Sequence, residues 1–319
     1  MIDVLLLGCG ATMPAPGRAL SAAVLRCGGR CILFDCGEGA QVALRREKIS
    51  PMKIDLIALT HYHGDHIFGL PGLLQTMSCL GRTEPLFLTG PEALPEAMAP
   101  ILSLAGELSF PVVPVSLSPE GEPLRRFSPL WNESARLLAV PTAHRVPSQG
   151  YVFSLSRPPR FVPERAQALG VPVRLWKSLV GQAAESSVLV QGHVLLDENG
   201  IPVQVGQLFG QPRPGLKVAF SGDTAPCEAF TEAAAGADLL IHDATYALDE
   251  EAPEAALWGH STFSQAAAVA ASACCARLWL THYSQALTQP ELSLPIAAAV
   301  FSAAECGHDG KRISLSFRE

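Results

Sequence analysis

Four side chains able to hold a metal ion stand within the six residues His61-Tyr62-His63-Gly64-Asp65-His66, directly after the apolar run IDLIALT. Imidazole and carboxylate at that density suit a loop wrapped around borderline cations such as zinc. The plain alternative is a polar surface turn, but three histidines bring a turn no benefit. Four further candidates are dispersed: His144 follows RLLAVPTA, Asp223 follows KVAFSG, Asp243 follows DLLIH and His282 follows RLWLT. Taken singly, each reads as an ordinary polar loop residue. Their recurrence just past the carboxyl end of an apolar run is the signal, because loops at one edge of a layered α/β sheet collect such residues into a shared crevice.

Those runs belong to a wider pattern. IDVLLL at 2–7, AAVLR at 22–26 and CILF at 31–34 are short, β-rich and separated by Gly and Pro turns, which predicts antiparallel strands. Strand-like runs then alternate with helical ones: IDLIALT before GLPGLLQTMSCL, LFLTG before PEALPEAMAPILSLA, KVAFSG before PCEAFTEAAA, and RLWLT before PELSLPIAAAVFSAA. The mixture predicts an α/β protein whose sheets carry helices on their outer faces. A chain of 319 residues with 48% hydrophobic content can bury a substantial core. Residues 156–187 interrupt the pattern, being Pro-rich, basic and without a clear period. From 157 to 177, Arg157, Arg160, Arg165, Arg174 and Lys177 face the single acid Glu164. We read 156–187 as a basic arm inserted in one domain spanning 1–319.

The net charge of −7 argues against indiscriminate binding to nucleic acid, whose phosphates require a positive surface, and leaves room for a local basic patch. Apolar runs fall short of the ~20 residues of a membrane helix, and no basic region precedes the short apolar stretch at the amino terminus. A soluble, unexported, cytoplasmic protein is expected. Nine cysteines, odd in number and without a CxxC pair, predict reduced thiols rather than a disulfide framework. Cys274 and Cys275 are expected inside a helix. Gly8-Cys9-Gly10 lacks the third glycine of a dinucleotide-binding turn and reads as a tight turn. His193 and His308 receive no role, and His242 is read as a structural neighbour of Asp243.

Seven motifs in one order, LLGCGATMP, ILFDCGEGAQ, THYHGDHIFGLPGLL, GRTEPLFLTGP, PGLKVAFSGDT, HDATY and GHST, resemble the ribonuclease Z family of the metallo-β-lactamase superfamily over nearly the whole length. The resemblance implies an αββα four-layer sandwich with two metals at its edge. It assigns His61, His63 and His144 to one metal and Asp65, His66 and His282 to the second, with Asp223 bridging. Two zinc ions per chain are implied, manganese or iron being possible substitutes. His63 stands where the di-iron flavoprotein branch has a glutamate, which disfavours a redox centre. The implied activity is metal-dependent endonucleolytic cleavage at the 3′ side of precursor tRNA, leaving a tRNA 3′-hydroxyl. Two cations sharing a hydroxide suit a phosphodiester on independent grounds.

The same resemblance implies Asp65, His260 and Asp243 as catalytic residues. His260 precedes the helical run SQAAAVAASACC, where Ser261 and Thr262 can cap, and would give a proton to the departing ribose oxygen. Asp243, one methylene shorter than the glutamate usual in the family's HEAT motif, would orient it. Asp35 reads as support for the loop beneath the metals. Arg157, Arg160, Arg174 and Lys177 become RNA-binding residues, and a homodimer is implied. The chain departs from the family where GVPVRLWKSLVGQ lacks the Gly-Pro pair of the long-armed enzymes, and where Met13–Arg18 lacks the Lys and Asn of many relatives. Two other readings stay open: a hydrolase of small phosphodiesters, esters, thioesters or lactones, and a non-catalytic RNA-binding protein.

Overall fold

Successive residues of a strand face opposite ways, and the first strand is apolar on both sides: Ile2, Val4 and Leu6 enter one core, Leu5 and Leu7 another. A strand of that kind must be covered on both faces, which sets the layering. The computed structural model describes residues 1–180, 182 and 184–318. Its strands run β1 (Ile2–Gly8), β2 (Ala22–Cys27), β3 (Arg30–Phe34), β4 (Ile54–Ala58), β5 (Leu86–Thr89), β6 (Val112–Pro114), β7 (Glu122–Pro123), β8 (Ala135–Pro141) and β9 (Gln149–Arg157). There follow β10 (Leu189–Val190), β11 (His193–Val194), β12 (Arg213–Phe220), β13 (Leu239–Asp243), β14 (Leu278–Thr281), β15 (Ala304–Cys306) and β16 (Arg312–Leu315).

Two seven-stranded sheets result, ordered β16-β1-β2-β3-β4-β5-β6 and β15-β14-β13-β12-β9-β8-β7. In the first, β1 to β3 pair antiparallel as expected and β3 to β6 pair parallel. In the second, β12 to β15 are parallel. Both sheets send side chains into one core, where Phe34 of the first stacks on Phe220 of the second with ring centroids 5.3 Å apart. On the outer face of the first sheet, Leu33 and Ile57 meet Leu73, Met77 and Met98 of the helices Leu70–Cys79 and Leu94–Ala105. On the outer face of the second, Leu240 and Leu280 meet Ala266 and Ala270 of the helix Phe263–Ser272. Helix, sheet, sheet, helix is the four-layer α/β sandwich, and each fully buried Leu or Phe contributes roughly 1.5–3 kcal/mol to it.

Contacts divide the chain into two compact units. The sandwich is Met1–Leu155 with Leu216–Phe317. The second unit, Ser156–Gly215 with Arg318, has its own small core of Ala166, Val171, Leu179, Val188, Val203, Val205 and Leu208. The expected arm of 156–187 therefore stops short, since Val188, Val203, Val205 and Leu208 lie beyond it, on segments too short to show a period. Gly181 and Ala183, inside that stretch, lie outside the described residues. The helix expected to contain Cys274 and Cys275 ends at Ser272; Cys274 is exposed with φ 50 and only Cys275 is buried. No helix among the described residues is long and apolar enough to cross a membrane.

Candidate metal centre

Every dispersed candidate sits where a strand runs out. His61 to His66 follow β4, His144 follows β8, Asp223 follows β12, Asp243 is the last residue of β13 and His282 follows β14. The turn after β14, and the neighbouring one after β3, need left-handed backbone from non-glycine residues, with φ 63 at His282 and φ 54 at Asp35. Such conformations cost about 1–3 kcal/mol and persist only where surroundings over-determine them. Both residues are buried and hydrogen-bonded. In the SGDT turn, Gly222 has φ 61, and a Cβ there would stand 2.5 Å from Thr60 Cβ, so only glycine lets the turn pass.

The seven candidate ligands converge. His61 Nε2 and His63 Nδ1 are 3.0 Å apart, and His144 Nε2 is 3.4 Å from the same His63 nitrogen. His66 Nε2 lies 3.3 Å from His282 Nε2, and His282 Nε2 lies 3.4 Å from Asp65 Oδ2. Asp223 stands between these groups, its Oδ2 3.6 Å from His61 Nε2 and 3.2 Å from His282 Nε2. Its Oδ1 is buried and makes no hydrogen bond, with His66 Nε2 3.3 Å away. An orphaned buried carboxylate oxygen is costly unless a cation satisfies it.

The far side of each ring explains why its nitrogen points inward. His66 Nδ1 donates to Asp35 Oδ2 at 2.8 Å, and Thr60 Oγ1 donates to Asp35 while accepting from His61 Nδ1 at 3.1 Å. His282 Nδ1 donates to Thr245 Oγ1 at 2.9 Å, and that hydroxyl donates to Asp243 Oδ1 at 2.7 Å. His144 Nδ1 donates to the Gly259 carbonyl at 2.8 Å. With Nδ1 engaged on the far side in all four, Nε2 is the nitrogen turned to the centre, where a metal can take the place of a proton. His61, His63, His144 and Asp223 bring their ligand atoms within 4.8 Å of one another, and imidazole with carboxylate suits metal ions of borderline softness.

Asp243 belongs to a different class. Its Oδ1 accepts from the Thr245 amide and hydroxyl, and its Oδ2 accepts from the Thr224 amide and from His260 Nδ1 at 2.7 Å. Four accepted hydrogen bonds saturate the carboxylate and leave nothing for a metal. His260 Nε2 makes no hydrogen bond to a described residue.

Charge follows the same division. Burial holds His61 well below the ordinary histidine value, with the charge of His66 adding to it, and burial also lowers His63 and His144. His66 goes the other way: burial disfavours its cation, but Asp223 and Asp35 hold it well above the ordinary value. Those carboxylates are negative charge that a bound cation would neutralise in place of a proton. Burial would raise Asp223, yet His282, His66 and His61 hold it well below the carboxylate range. Burial likewise disfavours the His260 cation, and Asp243 overrides it, pushing the imidazole up to about 9.

Sequence reading missed Thr60, Thr245 and the Gly259 carbonyl, which hold the rings. A signal existed in HDATY, where Asp243 and Thr245 are two residues apart and can share one side of a turn. Asp35, read as loop support, contacts His66 directly. In the second unit, Arg160, Arg174 and Lys177 are exposed, whereas Arg157 is partly buried and donates to the Arg318 carbonyl.

Comparison with known proteins bears on the fold and the family. A family model described as "Metallo-beta-lactamase superfamily" matches residues 16–177, and one described as "Beta-lactamase superfamily domain" matches 196–283. The chain is similar to a protein named Ribonuclease Z from Agathobacter rectalis, 36% identical over 319 residues and spanning the whole of both chains. It is 39% identical over 323 residues to a protein of the same name from Salinibacter ruber, covering 100% of this chain and 96% of that one. Among solved structures, the short form of human tRNase Z superposes with a TM-score of 0.66 at 27% identity, covering 99% of this chain and 100% of that one.

Proposed function

This chain belongs to the ribonuclease Z family of the metallo-β-lactamase superfamily, and on that premise we propose how its own residues divide the work. It is a metal-dependent endoribonuclease that processes the 3′ end of tRNA. In our reading His61, His63 and His144 hold one metal, Asp65, His66 and His282 hold a second, and Asp223 serves both. Mixed nitrogen and oxygen donors favour two zinc ions per chain, with manganese or iron as substitutes. Bound there, the pair supplies hydroxide at neutral pH and offsets charge on the phosphodiester.

The rest is done by the chain. Asp65, whose Oδ2 accepts from the Thr12 amide at 2.7 Å, doubles as acceptor for the proton of the attacking water. His260 gives its Nε2 proton to the departing ribose 3′ oxygen, so the products are a tRNA ending in a 3′-hydroxyl and a trailer beginning with a 5′-phosphate. Asp243 orients His260 and, through Thr245, also His282. Arg157, Arg160, Arg174 and Lys177 of the second unit contact the precursor tRNA backbone. Family membership supports a homodimer, and tRNA maturation with reduced thiols supports a cytoplasmic location.

The single observation that carries this reading over a small-ester hydrolase is His260, held by Asp243 through Nδ1 at 2.7 Å and with no described partner at Nε2. A thioester, whose thiolate leaves readily, needs no such acid, whereas a ribose oxygen is a poor leaving group. The test is incubation with a 3′-extended precursor tRNA beside a bis-aryl phosphodiester, with and without chelator. Both should be hydrolysed, both should stop under chelator, and the precursor should give one product with a 3′-hydroxyl. Hydrolysis of the aryl ester alone would replace this reading with that of a small-phosphodiester hydrolase.

A further inference from the structure

Arg145 and Trp258 lie beside the centre and are used by none of its contacts. Arg145 follows His144, and Trp258 ends the helix Ala252–Trp258 two residues before His260. The 2.8 Å hydrogen bond from His144 to the Gly259 carbonyl clamps these segments together and brings the Arg145 guanidinium carbon over the indole, 4.3 Å from its centroid. Gly259 permits the approach: its φ is 72, and a Cβ there would stand 2.9 Å from His144 Cα and 3.1 Å from the Arg145 nitrogen. Both side chains are exposed, Trp258 by 43%. Among the described residues the guanidinium has no hydrogen bond or ion pair, and neither has the indole N–H.

Arg145 also lines a cleft of about 520 Å³ that includes His144, Glu92 and the flat rings of Pro91, Pro141 and Pro147. Trp258 does not line it, so the indole backs the guanidinium and leaves its other face to the cleft. We propose that Arg145, stacked on Trp258, is the platform for the nucleobase of the upstream nucleotide, the one whose 3′ oxygen departs.

The inference rests on the nuclease reading above. If His260 protonates the leaving oxygen, the upstream ribose lies against His260, whose ring centroid is 5.0 Å from that of His144. The base on that ribose then falls beside the residues adjoining each histidine in the chain. Splayed bases of single-stranded RNA stack on guanidinium planes and aromatic rings with little regard to sequence. Glu92 decides between base and phosphate, because a carboxylate repels a phosphate but accepts hydrogen bonds from a base.

The test compares intact precursor tRNA with one carrying an abasic ribose at the upstream position, by kcat/KM, in wild type, Arg145→Ala, Arg145→Lys and Trp258→Ala. Wild type should lose on the order of 10- to 100-fold when the base is removed. In all three variants the ratio between the two substrates should shrink towards one, lysine included, since it keeps the charge but has no plane to stack. The ratio is internal to each variant, so a general loss of activity does not move it. A wild-type ratio near one, or a full ratio kept by Arg145→Ala or Arg145→Lys, overturns the platform. Failure of wild type to cut either precursor while it hydrolyses the aryl diester would overturn the nuclease reading, and the platform with it.

Discussion

A histidine that gives up a proton in hydrolysis has to be protonated at the working pH and must keep one N–H free. His260 meets both conditions through one partner: Asp243 accepts from Nδ1 at 2.7 Å, holds the imidazolium up to about 9 against its burial, and leaves Nε2 open. Loss of an acid–base group costs ~10² to 10⁴ in rate, so His260→Ala should lose that much on precursor tRNA and clearly less on an activated aryl diester, with its metal content at the wild-type level. Asp243→Asn should repeat the pattern more mildly. Equal losses on both substrates, or a lost metal in His260→Ala, would move His260 into the ligand shell. The sign of the pH dependence follows from the raised value. RNA cleavage requires the protonated form and should fall as pH rises through the folded value, at or below about 9 once cations share the cleft, while aryl diester hydrolysis lacks that alkaline limb.

Among elements, two strand ends act alike. Asp35 after β3 serves His66 directly and His61 through Thr60, and Asp243 at the end of β13 serves His260 directly and His282 through Thr245. One buried carboxylate and one hydroxyl thus set two rings each, from either sheet. The second unit, with a core of its own, holds Arg174 and Lys177 on short helices and Arg157 at the end of β9, and three of the four proposed RNA-binding residues are exposed. Neutralising Arg157, Arg160, Arg174 and Lys177 together should weaken tRNA binding and flatten its salt dependence, by ~0.7 to 0.9 in log–log slope for each phosphate that the protein no longer neutralises. Arg157 also donates to the Arg318 carbonyl, so the triple variant that retains it separates RNA binding from structural damage. An unchanged slope in both variants would remove the unit from substrate binding.

At the scale of the molecule, the centre joins the two sheets of the sandwich. His61 to His66 come from the first sheet, and His144, Asp223 and His282 from the second. Ions held there bind the folded chain and not the unfolded one, so they should stabilise it by mass action, by ~4 kcal/mol at a thousandfold excess over Kd. Chelation should therefore lower the thermal midpoint. Metal analysis should find about two ions in the wild type and markedly fewer in Asp65→Ala. Full occupancy in that variant would take Asp65 out of the ligand set. With a net charge of −7, the whole molecule repels RNA in general, which confines attraction to local basic groups and to the centre itself.

The sequence by itself determined what is local: the density of ligands in HYHGDH, the periods of most strands and helices, and the position of Asp223, Asp243 and His282 at the ends of apolar runs. Period and strand-end position survive in a linear string because each depends on neighbours a few residues apart. Tertiary structure alone decided the rest. Nothing in the string sets the 2.8 Å bond from His144 to Gly259, 115 residues away, or shows that Asp243 is saturated while Asp223 keeps an oxygen without a hydrogen bond. The extent of the second unit was hidden for a related reason. Its core residues lie on helical segments of four to six residues or outside any helix or strand, too short for any periodicity, and only their packing against one another reveals that they belong together.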